Sequence, residues 1–352
     1  MDTWGRRLRL SISGGARGEY VGCTVEGLPA GMRIDFNAVR AELAIRAPRA
    51  DGLSTPRREV DNFILSGGMT DGVTDGSPII CTMPNADAKA DGRSKTIPRP
   101  SHADYAAYVK YGGASRDIFS GRMCAPIVFA GALARQLLSA HGVFVAAHIA
   151  CIGSVNDAVV DPVAVDRASL RMDSMFPLLD ISKKEPMLAE LNKARTDGDS
   201  IGGAVECVAL NLPVGLGEPF FDTLEGQIAQ LLFSIPGVKG VEFGAGFSFA
   251  QMRGAEANDG FCFKNGLVRT ITNNSGGING GMANGMPLIV RTVLRPIPSI
   301  ALAQKTVDLK TGEEIVCSFT GRNDVCILPR GTVVIEAAVC FALAELMLRD
   351  TQ

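Results

Sequence analysis

The sequence predicts a mixed α/β chain of the α+β kind, folded as a single domain over residues 1–352. Three observations predict it. Helical and strand-like runs are interspersed, yet they do not alternate as βα units with crossover lengths, which argues against a doubly wound nucleotide fold. No linker divides the chain. With 352 residues, 46% of them hydrophobic and 20% charged, it has ample material for a buried core and not the composition of a disordered protein.

The elements can be justified in order. Pro126 opens PIVFAGALARQLLSAHG, with Ile127, Ala130, Leu133 and Leu137 at helical spacing and Gly142 after the end. Residues 143–152 are an apolar, β-rich run, and residues 185–196 a short charged helix. Residues 204–212 (AVECVALNL) read as a buried strand with one acidic interruption, and 288–294 as another strand. Residues 221–235 have helical spacing and stop at Pro236-Gly237. The apolar, alanine-rich residues 333–348 are expected as a helix buried between layers.

Charge and composition exclude several function classes. A formal net charge of -2 offers no electrostatic reason to expect nucleic acid or an anionic membrane as partner. No uninterrupted apolar run reaches the roughly 18–20 residues of a membrane span. The start, MDTWGRRLRLSISGG, lacks the apolar segment of a signal peptide, so the expectation is a cytoplasmic protein. The nine cysteines include no CxxC pair and mostly sit in apolar surroundings, as expected of buried free thiols. His102, His141 and His148 match no zinc spacing, so no metal is expected.

Familiar catalytic words are absent: no phosphate loop, no GxGxxG, no GxSxG and no HExxH. Glycine, at 40 residues, clusters in loops, which suits turns or close backbone approach to a ligand. Four regions concentrate charge and glycine. They are RPSHADYAAYVKYGGASRDIFSGRMCAP (99–126), VEFGAGFSFAQMRGAEANDGF (241–261), TNNSGGINGGMANGMPLIVRTVLRPIPSI (272–300) and FTGRNDVCILPRGTVVIEAA (319–338). Around His102 lie Arg99, Asp104, Lys110, Arg116 and Arg122. A lone histidine is usually structural, but one set among these charges is a candidate for chemistry.

In order and spacing these words resemble the chorismate synthase family. So do CTVEGLPAGMRID (23–35) and STPRREVDNFILSGGMTDGVTDGSPI (54–79), and the resemblance covers nearly the whole chain. It implies a β-α-β sandwich with helices between antiparallel sheets, assembled as a homotetramer. The implied reaction is a 1,4-anti elimination of phosphate from 5-enolpyruvylshikimate 3-phosphate, giving chorismate, with reduced FMN and no net redox change. The substrate carries a phosphate and two carboxylates, so a basic pocket is required. By resemblance, Arg46, Arg122 and Arg322 contact substrate or cofactor. His102 supports the reduced flavin, Asp324 carries its proton away, and Ser120 lies beside it. Flavin contacts map onto Ser120, Pro236, Gly237, Gly280, Arg295, Pro296, Ile297, Pro298, Ser299 and Arg322. Each position also has a plain structural reading. Gly280 could serve only a turn, Asp324 could cap a turn ahead of a strand at 326–328, and Arg46 could be a solvated helix-end charge.

The departures from the family pattern fall where the chemistry should be. The GESHG word is Gly14-Gly15-Ala16-Arg17-Gly18, so Arg17 replaces the histidine that protonates the leaving phosphate. Arginine binds phosphate well but stays protonated, which makes it a poor proton donor. The stretch before Ser120 is shortened, with Ile118 where relatives carry a basic residue. RHDP is Arg322-Asn323-Asp324-Val325, Arg295 replaces the lysine of KPxPS, and Ser101 replaces a glycine. Some members reduce their own flavin with NADPH; Gly52, where a basic residue is expected, argues against that ability here. The expectation is a chorismate synthase with altered turnover. The alternative is a weak or inactive paralogue that binds flavin or a phosphorylated acid as a partner subunit.

Overall fold

The computed structural model describes residues 2–49, 51–88, 94–112, 117–170, 172–173, 175–319 and 321–350. Two five-stranded antiparallel sheets dominate it. The first contains β1 (Thr3–Trp4), β2 (Arg9–Gly14), β3 (Tyr20–Glu26), β4 (Ile64–Ser66) and β5 (Ile79–Pro84), in the order β1-β2-β3-β5-β4. The second contains β6 (Phe144–Ile152), β7 (Val155–Asn156), β8 (Gly203–Leu210), β9 (Val238–Phe243) and β10 (Leu288–Leu294), in the order β9-β10-β8-β6-β7. The principal helices are α1 (Phe36–Arg46), α2 (Ala125–Ala140), α3 (Lys184–Thr196), α4 (Leu224–Ser234) and α5 (Leu328–Asp350).

The strands follow the period-two rule. On β3 and β5, Val21, Cys23, Val25, Ile79, Cys81 and Met83 are buried, while Ile80 between them is half exposed. Helix α2 packs on β3 of the first sheet and on β6 of the second, and α5 packs on α2, β6 and β8. The helical layer therefore lies between the sheets, as the family resemblance implied. This explains why α2 and α5 are apolar on nearly every side. By length and hydropathy alone, Gly121–Ala140 and Leu328–Asp350 would pass as membrane spans, yet 78% and 83% of those windows are buried inside the protein. The two helices cross at Gly131, where a Cβ would sit 2.5 Å from the Cα and the carbonyl oxygen of Ala337. Close approach is what glycine provides here.

Element boundaries shift for local reasons. The helix expected at 221–235 starts at Leu224, because Thr223 caps it by accepting the Gly226 N–H at 3.0 Å. The helix expected at 333–348 begins at Leu328 and includes Pro329 in its first turn. That start removes the strand anticipated at 326–328. At the other end of α5, fully buried Glu345 accepts backbone N–H groups of Arg6, Arg7 and Leu8 and pairs with Arg349 at 2.7 Å, tying the N-terminal segment to the last helix. All nine cysteines are free thiols, six of them buried.

The far face of the second sheet carries a row of charges set by strand register. His148 opposes Glu206, Glu206 opposes Arg291, and Arg291 opposes Glu242. His148 Nδ1 is 2.9 Å from Asp157 Oδ2 and its Nε2 is 3.2 Å from Glu206 Oε1. Asp157 also accepts the N–H groups of Leu179 and Asp180, so it pins the segment covering this face. Burial alone would lower the His148 pKa, but its hydrogen bonds to the two carboxylates outweigh it and raise the pKa above the ordinary 6.5.

Two predictions follow from this packing. A folded histidine with a raised pKa stabilises fully below about pH 6.5, and that contribution fades as pH climbs through the raised value. Urea unfolding should show stability falling over that range. His148→Gln should cost about 1–3 kcal/mol at pH 6 and flatten the dependence. Gly131→Ala should destabilise by about 1–3 kcal/mol, because the clash is with backbone and not with a movable side chain.

Candidate active site

Arginines from distant parts of the chain converge on one carboxylate. Asp61, whose side chain is fully buried, accepts from Arg46 Nε and from Arg46 Nη2, the latter at 2.7 Å, and also from Arg122 Nη1. Arg46 ends α1, where the helix dipole favours a cation. It is only 2% exposed, so it is not the solvated charge that its helix-end position allowed. Ser120 caps the turn Gly121–Cys124 by accepting the Arg122 N–H at 3.3 Å, which sets the direction of Arg122. Arg122 also donates to Asn85 Oδ1 at 2.9 Å and pairs with Glu59 Oε2 at 3.2 Å, without hydrogen-bond alignment. Burial lowers the Arg122 pKa, opposed by Asp61 and Glu59 and assisted by the charge of Arg46.

Two links extend this cluster. Arg330 donates from Nε to the Arg46 carbonyl at 2.8 Å and from Nη1 to Asp324 Oδ1 at 2.5 Å. Asp324 further accepts the Thr55 N–H at 3.0 Å, so it is an anchored ion-pair partner and caps no strand. Arg322 forks onto Asp87, with Nη1 2.6 Å from Oδ2 and Nη2 3.0 Å from the carbonyl, and the Asp87 N–H reaches Glu59 at 3.2 Å. A small cleft beside this network is lined by Arg46, Gly121, Cys124, Pro236, Leu294 and Arg330.

Residues 14–18 sit against the same cluster. Asn85 Nδ2 donates to the carbonyls of Gly15 and Gly18 at 2.9 Å, and both Arg57 Nη atoms lie 3.3 Å from the Ala16 carbonyl. Arg57 also pairs with Glu59 at 2.6 Å. Arg17 is thus next to the buried arginines, with Nη1 2.7 Å from Asp117 Oδ1 and about a third of its side chain exposed. Arg49 Nε and Arg57 Nε are buried without a hydrogen-bond partner among the described residues. Unsatisfied buried donors in a cationic site favour an anionic ligand.

His102 forms a second corner. Its Nδ1 is 2.7 Å from Asp104 Oδ1 and 2.9 Å from Arg99 Nη2. One nitrogen cannot both donate and accept, and the carboxylate is the stronger partner for its proton. Arg99 also donates to Asp104, and burial of that carboxylate is outweighed by the bonds from Arg99 and His102, which hold it far below the usual carboxylate range. Arg99 Nη1 reaches Ser299 Oγ at 3.1 Å, and Arg295 Nη1 reaches the Ser101 carbonyl at 2.5 Å. The Arg295 N–H bonds the Gly237 carbonyl at 2.9 Å, Ser200 holds the Ile297 carbonyl at 2.7 Å, and Asn323 Nδ2 approaches the Ser299 carbonyl at 3.3 Å. Of the expected flavin contacts, Arg295 and Ser299 are hydrogen-bonded to the His102 corner and Arg295 ties Gly237 to it; Pro236, Pro296, Ile297 and Pro298 are their chain neighbours, and the Arg322 side chain bonds Asp87.

Gly280 stands apart. With Gly281 it forms the tip of a hairpin between Ile278–Asn279 and Met282–Ala283, both at positive φ (61° and 86°), as a tight I′ turn requires. The Gly281 carbonyl accepts the Leu224 N–H, so the tip abuts the start of α4, whereas Pro236 follows its end. An 11-residue helix, about 16 Å long, separates them within one chain. Arg116 lies outside the described residues. The residues that sequence reading left without a role are Asp61, Glu59, Arg57, Asn85, Asp87 and Arg330. A signal existed for three of them. In PRREVD the buried Glu59 and Asp61 and half-buried Arg57 alternate with exposed Arg58 and Val60, the pattern of an extended segment with one charged face turned inward.

A family model described as chorismate synthase matches residues 8–348. A chorismate synthase from Dehalococcoides mccartyi is 40% identical over 99% of this chain and 97% of the relative. One from Thermococcus gammatolerans is 43% identical over 98% of this chain and 97% of the relative. A crystal structure of a chorismate synthase superposes with a TM-score of 0.78 at 26% identity, covering 99% of this chain and 93% of that one.

Because Asp61 neutralises two buried guanidiniums at once, its removal should be severe. Asp61→Ala should destabilise the fold by about 3–5 kcal/mol in chemical denaturation, the cost of leaving a buried charge unpaired.

Proposed function

The chain belongs to the chorismate synthase family, lyases of aromatic biosynthesis, and we propose that it eliminates phosphate from 5-enolpyruvylshikimate 3-phosphate by the 1,4-anti route to give chorismate. The observation that carries this reading is the convergence of Arg46, Arg57, Arg122, Arg322 and Arg330 around Asp61 and its neighbours. A substrate with one phosphate and two carboxylates needs several fixed cations, and fixed donors stabilise charge that develops as phosphate leaves.

The cofactor we propose is reduced FMN. Its support is the region where Arg99, His102, Arg295 and Ser299 are joined, which supplies cations and hydroxyl groups suited to a flavin phosphate and an electron-rich ring. When bound, reduced FMN supplies the electron-rich ring that assists C–O cleavage and takes the proton lost from the substrate ring. His102, with Nδ1 committed to Asp104, presents Nε2 as the ring nitrogen for the flavin. Asp324, which accepts from Arg330 and Thr55, is the carboxylate we propose would receive a proton. Arg17 stabilises the departing phosphate as a fixed cation, while the proton that completes phosphate comes from solvent.

The assembly we propose is a homotetramer in the cytoplasm. Gly280 supports it, since within one chain it is remote from the other proposed flavin contacts. A projecting ribbon also supports it. Phe261–Lys264 pairs with Leu267–Thr270, and Phe261, Phe263, Leu267, Val268 and Ile271 are exposed there. A two-stranded ribbon is marginal in water unless another surface covers it.

The test is an anaerobic assay with reduced FMN and the enolpyruvyl phosphate. Chorismate should form above a no-enzyme control, and Arg17→His should raise kcat by about tenfold or more by restoring a general acid. No chorismate at high enzyme concentration, with substrate binding intact, would refute the catalytic reading in favour of a binding paralogue.

A further inference from the structure

We infer that Asp117 is a positioning residue that clamps Arg17 for its work on the leaving phosphate. The inference rests on the elimination proposed above and goes beyond it by assigning a residue from the shortened stretch ahead of Ser120. Asp117 grips residues 14–18 at two points. Its carbonyl accepts the Ala16 N–H at 3.0 Å, and its carboxylate accepts from Arg17 Nη1 at 2.7 Å. It holds a left-handed backbone conformation, with φ of 30°, which among side-chain-bearing residues suits Asp and Asn best. A residue in that conformation persists when surrounding contacts over-determine it. Here those contacts run between two segments 100 residues apart.

The other described contacts hold this turn at its backbone. Arg57, itself paired with Glu59, holds the Ala16 carbonyl, and Arg122 acts only through Asn85 on the carbonyls of Gly15 and Gly18. Arg17 has a long side chain on a glycine-rich turn, about a third exposed. A cation that must meet a developing charge loses much of its effect when its geometry is loose. The carboxylate also carries an opposing cost, because a negative charge beside Arg17 weakens the attraction for an anion whatever the orientation. Positioning acts on the transition state, whereas the opposing charge acts on ground-state binding as well. The two effects therefore separate between turnover and affinity.

The experiment is a double-mutant cycle with Asp117→Asn and Arg17→Ala in the full chain. Turnover is measured with reduced FMN, and the Kd of 5-enolpyruvylshikimate 3-phosphate is measured calorimetrically without flavin. Asparagine keeps the size and the backbone tolerance of aspartate. Asp117→Asn should lower kcat about tenfold and tighten the flavin-free Kd about threefold. Both changes should shrink in the Arg17→Ala background by the share that Asp117 exerts through Arg17. Losses that multiply independently, or a kcat loss matched by weaker binding, would overturn the inference. A wild-type chain that binds substrate but makes no chorismate would instead refute the proposed elimination. The Kd cycle would then decide on Asp117, and a Kd change that does not depend on Arg17 would count against it.

Discussion

The site depends on a carboxylate that never sees water. Asp61 lies where α1 ends, where the Gly121–Cys124 turn begins and where the extended segment after residue 55 passes, and it is bonded to arginines from the first two. Neither Arg46 nor Arg122 would be tolerated at such burial without a counter-charge, because an uncompensated guanidinium costs several kcal/mol to desolvate. Arg46, Arg57 and Arg122 set three cations against Asp61 and Glu59, and the cluster stays net positive, as an anionic substrate requires. Replacing the set with apolar side chains could preserve the fold, so its presence is better explained by binding than by stability.

The sandwich makes this arrangement possible by fixing the ends of its helices. Arg46 and Arg330 occupy opposite helix ends, the last turn of α1 and the first turn of α5, and Arg330 bonds the Arg46 carbonyl directly. The close crossing at Gly131 holds α2 and α5 together and so fixes where the turn carrying Arg122 emerges. The charged row on the far side, from His148 to Glu242, works differently. It buttresses the second sheet and its covering segment, and no residue expected to touch substrate or flavin takes part in it.

Features with a short period were legible in the sequence. The helix after Pro126 and the strands around 144–152, 203–210 and 288–294 follow from apolar spacing and flanking breakers, and β10 matched its expected range throughout. The site was legible only as family words. Its contacts join residues far apart in the chain, such as Arg122 with Asp61, Thr55 with Asp324 and Arg99 with Ser299, and no local pattern announces such pairs. Arg46 shows the difference most clearly. Its position at a helix end was compatible with solvent, and only the fold shows that the helix end is covered.

In the role proposed for it, Arg17 would set the limit on what the site can do chemically. A histidine there would supply both charge and proton, but only while protonated, so its contribution would vary over the physiological range. A guanidinium supplies charge at every working pH and no proton. That exchange is tolerable for phosphate, a leaving group that departs readily as an anion when cations receive it, provided that water can complete its protonation afterwards. The partial exposure of the Arg17–Asp117 pair meets that condition, whereas the buried Arg46–Asp61 pair could not. On that proposal the constraint on turnover shifts from proton delivery to charge placement, and the hold on Arg17 would matter more than the identity of any acid.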